Sequence, residues 1–303
     1  MATHRIAVND RNAIRLSCII IEVQSLCKEK TFLSTAASAM RLFSLCCFAV
    51  AAQENTLLDQ GYRQMYDLDF PEAHKTFAQW MKQHPDDPLG PVSDAAAYLF
   101  TEFDRLHILQ GEFFLHDENF RTKERLKPDA ALAAAFQKQL ARCEQLAAQA
   151  LAKNPRDTNA LFAEVLRLGL KSDYDGLIDK RYIYSLSTTK IGRNTAEKLL
   201  AIDPTFYDAW IAIGVENYLL SLKPMPVRWL LQLGGNKTDH NIGVEKLKLT
   251  AEKGRYLRPF ARLLMAVVSL RESDFPRAKQ LLKGLRDEFP HNPLYASELA
   301  RIP

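Results

Sequence analysis

The chain reads as all-helical, and three observations carry that reading. Glycine is sparse at 12 of 303 residues, Ala, Leu, Lys, Arg, Glu and Gln crowd most windows, and alternating β-branched runs are few. Apolar residues recur at helical spacing between widely placed prolines. A segment that begins at Asp69 also returns, in pattern, at Asp274. The balance of 47% apolar and 25% charged residues excludes disordered, collagen-like and disulfide-scaffold classes. No charge-free apolar run approaches the ~18 residues of a membrane span, which excludes a multi-span membrane protein.

The first 51 residues are set apart as a leader. Residues 1–39 show no clear helical period, and from Met40 the chain reads as a secretory signal: Arg41 is a short basic start, LFSLCCFAVA an apolar core, and Ala49-Val50-Ala51 a small-x-small cleavage triplet. Cleavage there predicts a periplasmic or secreted protein, with a cytoplasmic chain carrying an apolar leader patch as the alternative. Leu45 and Cys46 precede Cys46 and Cys47, where lipidation wants a small residue, so a lipid anchor is not expected. Four of the five cysteines (Cys18, Cys27, Cys46, Cys47) lie in this leader, and Cys143 alone remains, in an alanine-rich helical stretch that reads as a buried, inert thiol. The leader also takes six of the 40 Lys/Arg and three of the 36 Asp/Glu, which leaves 34 against 33 in residues 52–303. A body this close to neutral, without a basic stripe interleaved with aromatics, argues against nucleic acid as a partner.

Period and breakers place the helices in order. Five antiparallel pairs are predicted: about 52–67 with 71–84, 88–116 with 129–153, 157–171 with 189–202, 206–221 with 239–254, and 257–272 with 275–288, followed by a capping helix from Asn292. Asp69 and Asp274 suit N-caps, Pro71 and Pro276 fall in the first turn, and Pro85, Pro155, Pro204 and Pro290 end helices. DFPEAHKTFAQWMKQHPDDPL and DFPRAKQLLKGLRDEFPHNPL, 205 residues apart, share seven identities at matching offsets. Intervening segments at 117–128, 172–188 and 222–238 are expected to project from the turns.

With these residues in view the chain resembles the tetratricopeptide repeat, a 34-residue helix–turn–helix with Trp, Leu, Gly and Tyr on its first helix and Ala, Phe and Pro on its second. Trp210, Gly214 and Tyr218 match the first helix, and Ala73, Phe77 and Pro85, echoed by Ala278, Leu282 and Pro290, match the second. The helix-ending prolines stand 70, 49 and 86 residues apart, so several units must be stretched or carry insertions. The resemblance implies a single α-solenoid over 52–303, a quasi-linear superhelix in which each pair covers its neighbours. The ending Phe289-Pro290-His291-Asn292-Pro293-Leu294-Tyr295 resembles tetratricopeptide proteins of bacterial envelopes.

In that family the fifth and ninth positions of each repeat line a concave groove. The register places Leu58 and Tyr62, Val92 and Ala96, Phe162 and Leu166, Ile211 and Val215, and Leu263 and Val267 there. None is Lys, Arg or Asn, so a chaperone's C-terminal carboxylate is not the expected ligand. An apolar groove instead suits an amphipathic helix, unless tight winding or the intervening segments fill it. Trp229, in LKPMPVRWLLQLGGNKT, is a further candidate contact. Gly235-Asn236-Lys237-Thr238 fails as a phosphate loop because Leu230 stands where the first glycine belongs, and Thr238 or Asp239 reads as an N-cap. His107, His116, Asp117 and Glu118 lack the i, i+3 or i+4 spacing of a helical metal site. No nucleophile elbow, zinc-protease helix or Cys/His arrangement is present, so neither catalytic residues nor cofactors are expected. The expected function is a non-catalytic scaffold of the cell envelope that binds a protein or peptide, with no transmembrane helix in the mature chain and room for a peripheral association with the envelope. The alternatives are a carrier of an apolar small molecule or lipid and an enzyme with a site on the intervening segments.

Overall fold

The computed structural model describes residues 56–110, 126–221 and 239–303, all within the compact unit Asn55–Pro303. The leader, His116, Asp117, Glu118 and Trp229 lie outside the described residues. Eleven α-helices and no strand occur among the described residues: α1 Leu57–Tyr66, α2 Phe70–Gln83, α3 Leu89–Arg105, α4 Ala130–Lys153, α5 Thr158–Asp173, α6 Tyr182–Ile202, α7 Trp210–Ser221, α8 His240–Lys253, α9 Arg258–Arg271, α10 Phe275–Glu288 and α11 Pro293–Arg301. Each helix packs on the next in sequence, and α3 also touches α1 and α5.

The ends of these helices follow from the breakers. Helices α2, α4, α6 and α10 stop two residues before Pro85, Pro155, Pro204 and Pro290. A proline ring disfavours helical backbone in the residue before it, and His84, Asn154, Asp203 and Phe289 accordingly leave the helical region as C-caps. Carboxylates open the helices: Asp157 accepts from the Ala160 N–H at 2.9 Å and Asp239 from Asn241 at 2.8 Å.

The sequence repeat is also a backbone repeat. Leu68 and Ser273 both adopt left-handed φ, 63° and 61°. The N–H of Asp69 then donates to the Gln64 carbonyl at 2.9 Å, and that of Asp274 to Ser269 at 2.8 Å. Each aspartate next caps its helix by accepting from the N–H three residues on, Glu72 or Arg277. The α1–α2 and α9–α10 corners are thus the same turn made twice.

Two close approaches need glycine. A Cβ at Gly61 would lie 2.3 Å from the Phe77 ring, and one at Gly214 would lie 2.9 Å from Leu247 Cγ and N. These are the crossings of α1 with α2 and of α7 with α8.

Two segments differ from expectation. Residues 172–188 are not a projecting insertion: α5 runs into a π-turn, Tyr174–Ile178, and α6 starts at Tyr182, seven residues before its predicted start. The helix expected to reach residue 116 stops at Arg105, because His107 takes a left-handed φ of 59°.

The first and last helices also meet. Arg255 forms a two-pronged pair with Asp59, at 2.8 and 2.6 Å. The Tyr66 hydroxyl donates to the Tyr256 carbonyl at 3.1 Å, and Asn292 Nδ2 donates to the Tyr66 carbonyl at 2.8 Å. Asp67 accepts from the backbone N–H of His291 at 2.9 Å and contacts its ring Nδ1 at 2.7 Å. A strictly linear array has no such contacts.

Candidate functional site

The ten positions lie on the odd-numbered helices α1, α3, α5, α7 and α9. Those helices turn their apolar faces to one interior. Leu58, Tyr62, Val92, Ala96, Phe162, Leu166, Ile211 and Val267 are buried, and Val215 and Leu263 are partly buried against the same core. The sequence left undecided whether this groove is open or filled, and among the described residues it is filled, because α1 packs against the turn between α8 and α9. Tyr62 of α1 packs against Tyr256 at 5.1 Å between ring centroids, and Phe162 of α5 also reaches Tyr256, at 6.2 Å, and Phe206 at 4.8 Å. Tyr62 also meets Phe77 edge-on at 5.6 Å. Burial pushes the Tyr62 phenol well above its ordinary range, and the Tyr256 phenol up to about 12. Both are neutral at any physiological pH.

Buried carboxylates lock this interior in place. Asp208, in the short turn before α7, accepts the N–H of Arg255 at 2.9 Å and of Leu257 at 2.8 Å, tying α7 to the α8–α9 turn. Burial raises its pKa, and the backbone donors act against that rise. Glu102 holds Arg105 through both oxygens, at 2.8 and 2.7 Å, and accepts the Asp129 N–H at 2.8 Å, joining α3 to the start of α4.

One apolar pocket opens between α1, α3, α9 and α11, lined by Met65, Tyr66, Phe100, Phe260, Leu263 and Tyr295 among others. At about 30 Å³ it has room for one or two waters. This pocket is too small for a lipid-sized ligand, which needs ~300 Å³ or more.

Apolar side chains instead stand on the outside. Ile183 (83% exposed), Tyr184 (59%), Leu186 (41%) and Ile191 (55%) project from α6, Leu219 from α7 and Ile242 from α8. The sequence reading named none of the α6 group, because it took 172–188 as a segment projecting from a turn and sought apolar contacts on inner helix faces and at Trp229, which left Ile191 of the helix predicted over 189–202 unnoticed.

Among the described residues, one histidine–carboxylate pair fastens three helices, His74 with Asp94. His74 Nδ1 lies 2.6 Å from Asp94 Oδ1, and Gln139 donates to the other oxygen at 2.7 Å. Because a carboxylate only accepts, Nδ1 is the donor, and the ring lies tilted against Tyr98 with centroids 4.0 Å apart. The pair fastens α2 to α3 and, through Gln139, to α4. Cys143 is buried and points its thiol at the Ala163 carbonyl, 3.7 Å away, and burial pushes its pKa well above the ordinary thiol range. Asp173, the last residue of α5, is pushed up to about 7 by burial next to the π-turn. Among the described residues no group of three or more His, Cys, Asp or Glu is placed to hold a metal ion.

No protein-family model matches the chain, and no curated protein matches it.

Proposed function

We propose that this protein is a non-catalytic interaction scaffold of the cell envelope, built as a tetratricopeptide-like solenoid and exported by the signal-like stretch that starts at Met40. The observation that carries the reading is the division of its apolar side chains. The inner positions pack on one another, while Leu219 (44% exposed) and Ile242 (40%) stand on the outer faces of α7 and α8. The two helices approach closely there, since a Cβ at Gly243 would lie 2.7 Å from the Tyr218 backbone nitrogen. A protein partner therefore docks on the outside of the array, across α7 and α8, rather than in a concave groove. Repeat arrays present such rigid surfaces because each helix pair is braced by its neighbours.

A photo-crosslinking amino acid at Leu219 or Ile242, in the native host, tests this. The expected result is one defined crosslinked protein band from both positions, absent when the probe stands at exposed Lys283 on α10. Equal labelling of many proteins, or of none, overturns the scaffold reading. A cytoplasmic position of the mature chain, read from an uncleaved N-terminus, removes the envelope part alone.

A further inference from the structure

Part of α6 is helical with little local support. Along Ile183–Ile191 the residues Ile183, Tyr184, Thr188, Thr189 and Ile191 are β-branched or aromatic, Ser185 and Ser187 compete for backbone hydrogen bonds, and Leu186 and Lys190 alone are strong helix formers. The start of the helix adds nothing. Lys180 has a left-handed φ of 57°, Arg181 stands at the N-cap without a side-chain capping bond, and the first turn holds no carboxylate.

Packing, which supplies most of the stability of a protein helix, does not make up the difference. The one buried residue of Ile183–Ile191 is Thr188, while Ile183, Tyr184, Leu186 and Ile191 stand outward. The inner side meets α5 through hydroxyls: Ser172 Oγ lies 2.7 Å from Thr189 Oγ1 and 3.0 Å from the Ser185 carbonyl. The Ser187 hydroxyl turns back on its own helix and donates to the Tyr184 carbonyl at 2.8 Å. Arg181 over the Tyr184 ring, at 4.3 Å, is a surface contact.

Both ends of this stretch are tied. Before it, the Arg181 N–H donates to the Asp175 carbonyl at 2.7 Å, and the guanidinium reaches the Asp175 carboxylate at 3.7 Å. After it, Arg193 pairs with Glu197 at 3.0 Å and with the buried Glu216 of α7 at 3.1 Å, and Ala196, Leu199 and Leu200 are buried. Gly192, the least helix-favouring residue of α6, marks the boundary.

We propose that Ile183–Ile191 is a strap, which leaves α5 by local unfolding between these two ties while the rest of the array stays folded. Opening uncovers the α5 side around Ser172 and turns the stretch into an extended segment, the backbone that its β-branched residues favour. This goes beyond the scaffold reading and uses neither Leu219 nor Ile242.

The test is amide hydrogen exchange of the full chain, read by mass spectrometry of its peptides at pH 7. Amides of Ile183–Ile191 should exchange about 100-fold or more faster than those of Asn194–Ile202, which open only with the larger unit. Ile183→Glu with Ser187→Lys sets two strong helix formers of opposite charge four residues apart on the exposed side. That pair should slow exchange of the strap about tenfold and leave Asn194–Ile202 unchanged. Two results overturn the proposal: a wild type whose strap exchanges within about threefold of Asn194–Ile202, or a helix-favouring pair that leaves exchange of the strap as it was. Either result leaves crosslinking at Leu219 and Ile242 untouched.

Discussion

Replacing Ile211 by Asp separates a filled interior from an open groove. Ile211 is 7% exposed on α7, so the substitution removes a buried aliphatic side chain and leaves a carboxylate in its place. Loss of the burial costs about 1.5–3 kcal/mol. To stay in the core at pH 7.5 the carboxylate must remain protonated, and lifting its pKa from about 4 to above 7.5 costs about 5 kcal/mol at ~1.4 kcal/mol per unit. The sum, about 6–8 kcal/mol, is comparable with the whole stability of a domain, ~5–15 kcal/mol. The sign is fixed as well: the folded pKa is raised, so the penalty is absent at low pH and grows as pH rises through the folded value. Ile183→Asp is the control, because that side chain is 83% exposed and its replacement should cost less than about 0.5 kcal/mol. Melting by circular dichroism at pH 7.5 and pH 5.0 reads both. At pH 7.5 Ile211→Asp should fall more than about 10 °C below the control, at roughly 2–4 °C per kcal/mol for a domain of this size. At pH 5.0 it should regain about 3 kcal/mol of the deficit. A midpoint within about 2 °C of the control at both pH values would refute the packed interior and restore the open groove.

Three further outcomes follow from named contacts. Gly61→Ala should destabilise by about 1–3 kcal/mol in urea titration, because its Cβ would sit 2.3 Å from a Phe77 ring that is itself fully buried. Asp173→Asn should match the wild type below about pH 4 and gain stability as pH rises toward 7, since burial raises the native pKa from 3.8 to about 7 and the ionised form is the disfavoured one. The gain is bounded at about 4 kcal/mol and is smaller in practice because the side chain keeps some solvent contact; pH-dependent urea melts of both proteins check it. Asp59→Ala with Arg255→Ala, in a double-mutant cycle, should return a coupling of about 0.5–1.5 kcal/mol that shrinks in high salt, because the pair is only partly shielded from water.

The helices were legible because their punctuation is local. Pro85, Pro155, Pro204 and Pro290 each act on the residue directly before them, and the helix ends fall at those residues. The Asp-Phe-Pro turns were legible for the same reason: Asp69 and Asp274 cap the helix they begin. The start of α6 was not legible. No proline stands inside 172–188, its one glycine, Gly176, falls in the π-turn and not at the start of α6, and the periodicity runs against the usual rule, with Thr188 buried and Ile183 and Tyr184 exposed. An apolar residue marks the inside of a helix only when the inside is what it covers, and on α6 the large side chains stand on the outside.

The groove positions show a different kind of limit. Register along the chain is set by neighbours three and four residues apart, and it put all ten positions on the inner helices. Whether an inner face is open depends on the rotation accumulated over all the helix pairs, and no single pair encodes that sum. Here the sum brings Asp59 to Arg255 and Tyr66 to Asn292, 196 and 226 residues apart in the chain, and the interior closes around Tyr62, Phe162 and Tyr256. Closure also changes the energetics. In an open array each unit contacts only its neighbours, so end units fray independently and stability is close to a sum of local terms. Once the first unit leans on the last, loss of either exposes the aromatic interior that both cover, and removal of α10 and α11 uncovers Tyr66 at the opposite end of the chain. The two regions then unfold together, and the large apolar side chains left exposed among the described residues stand on the outer faces of α6, α7 and α8.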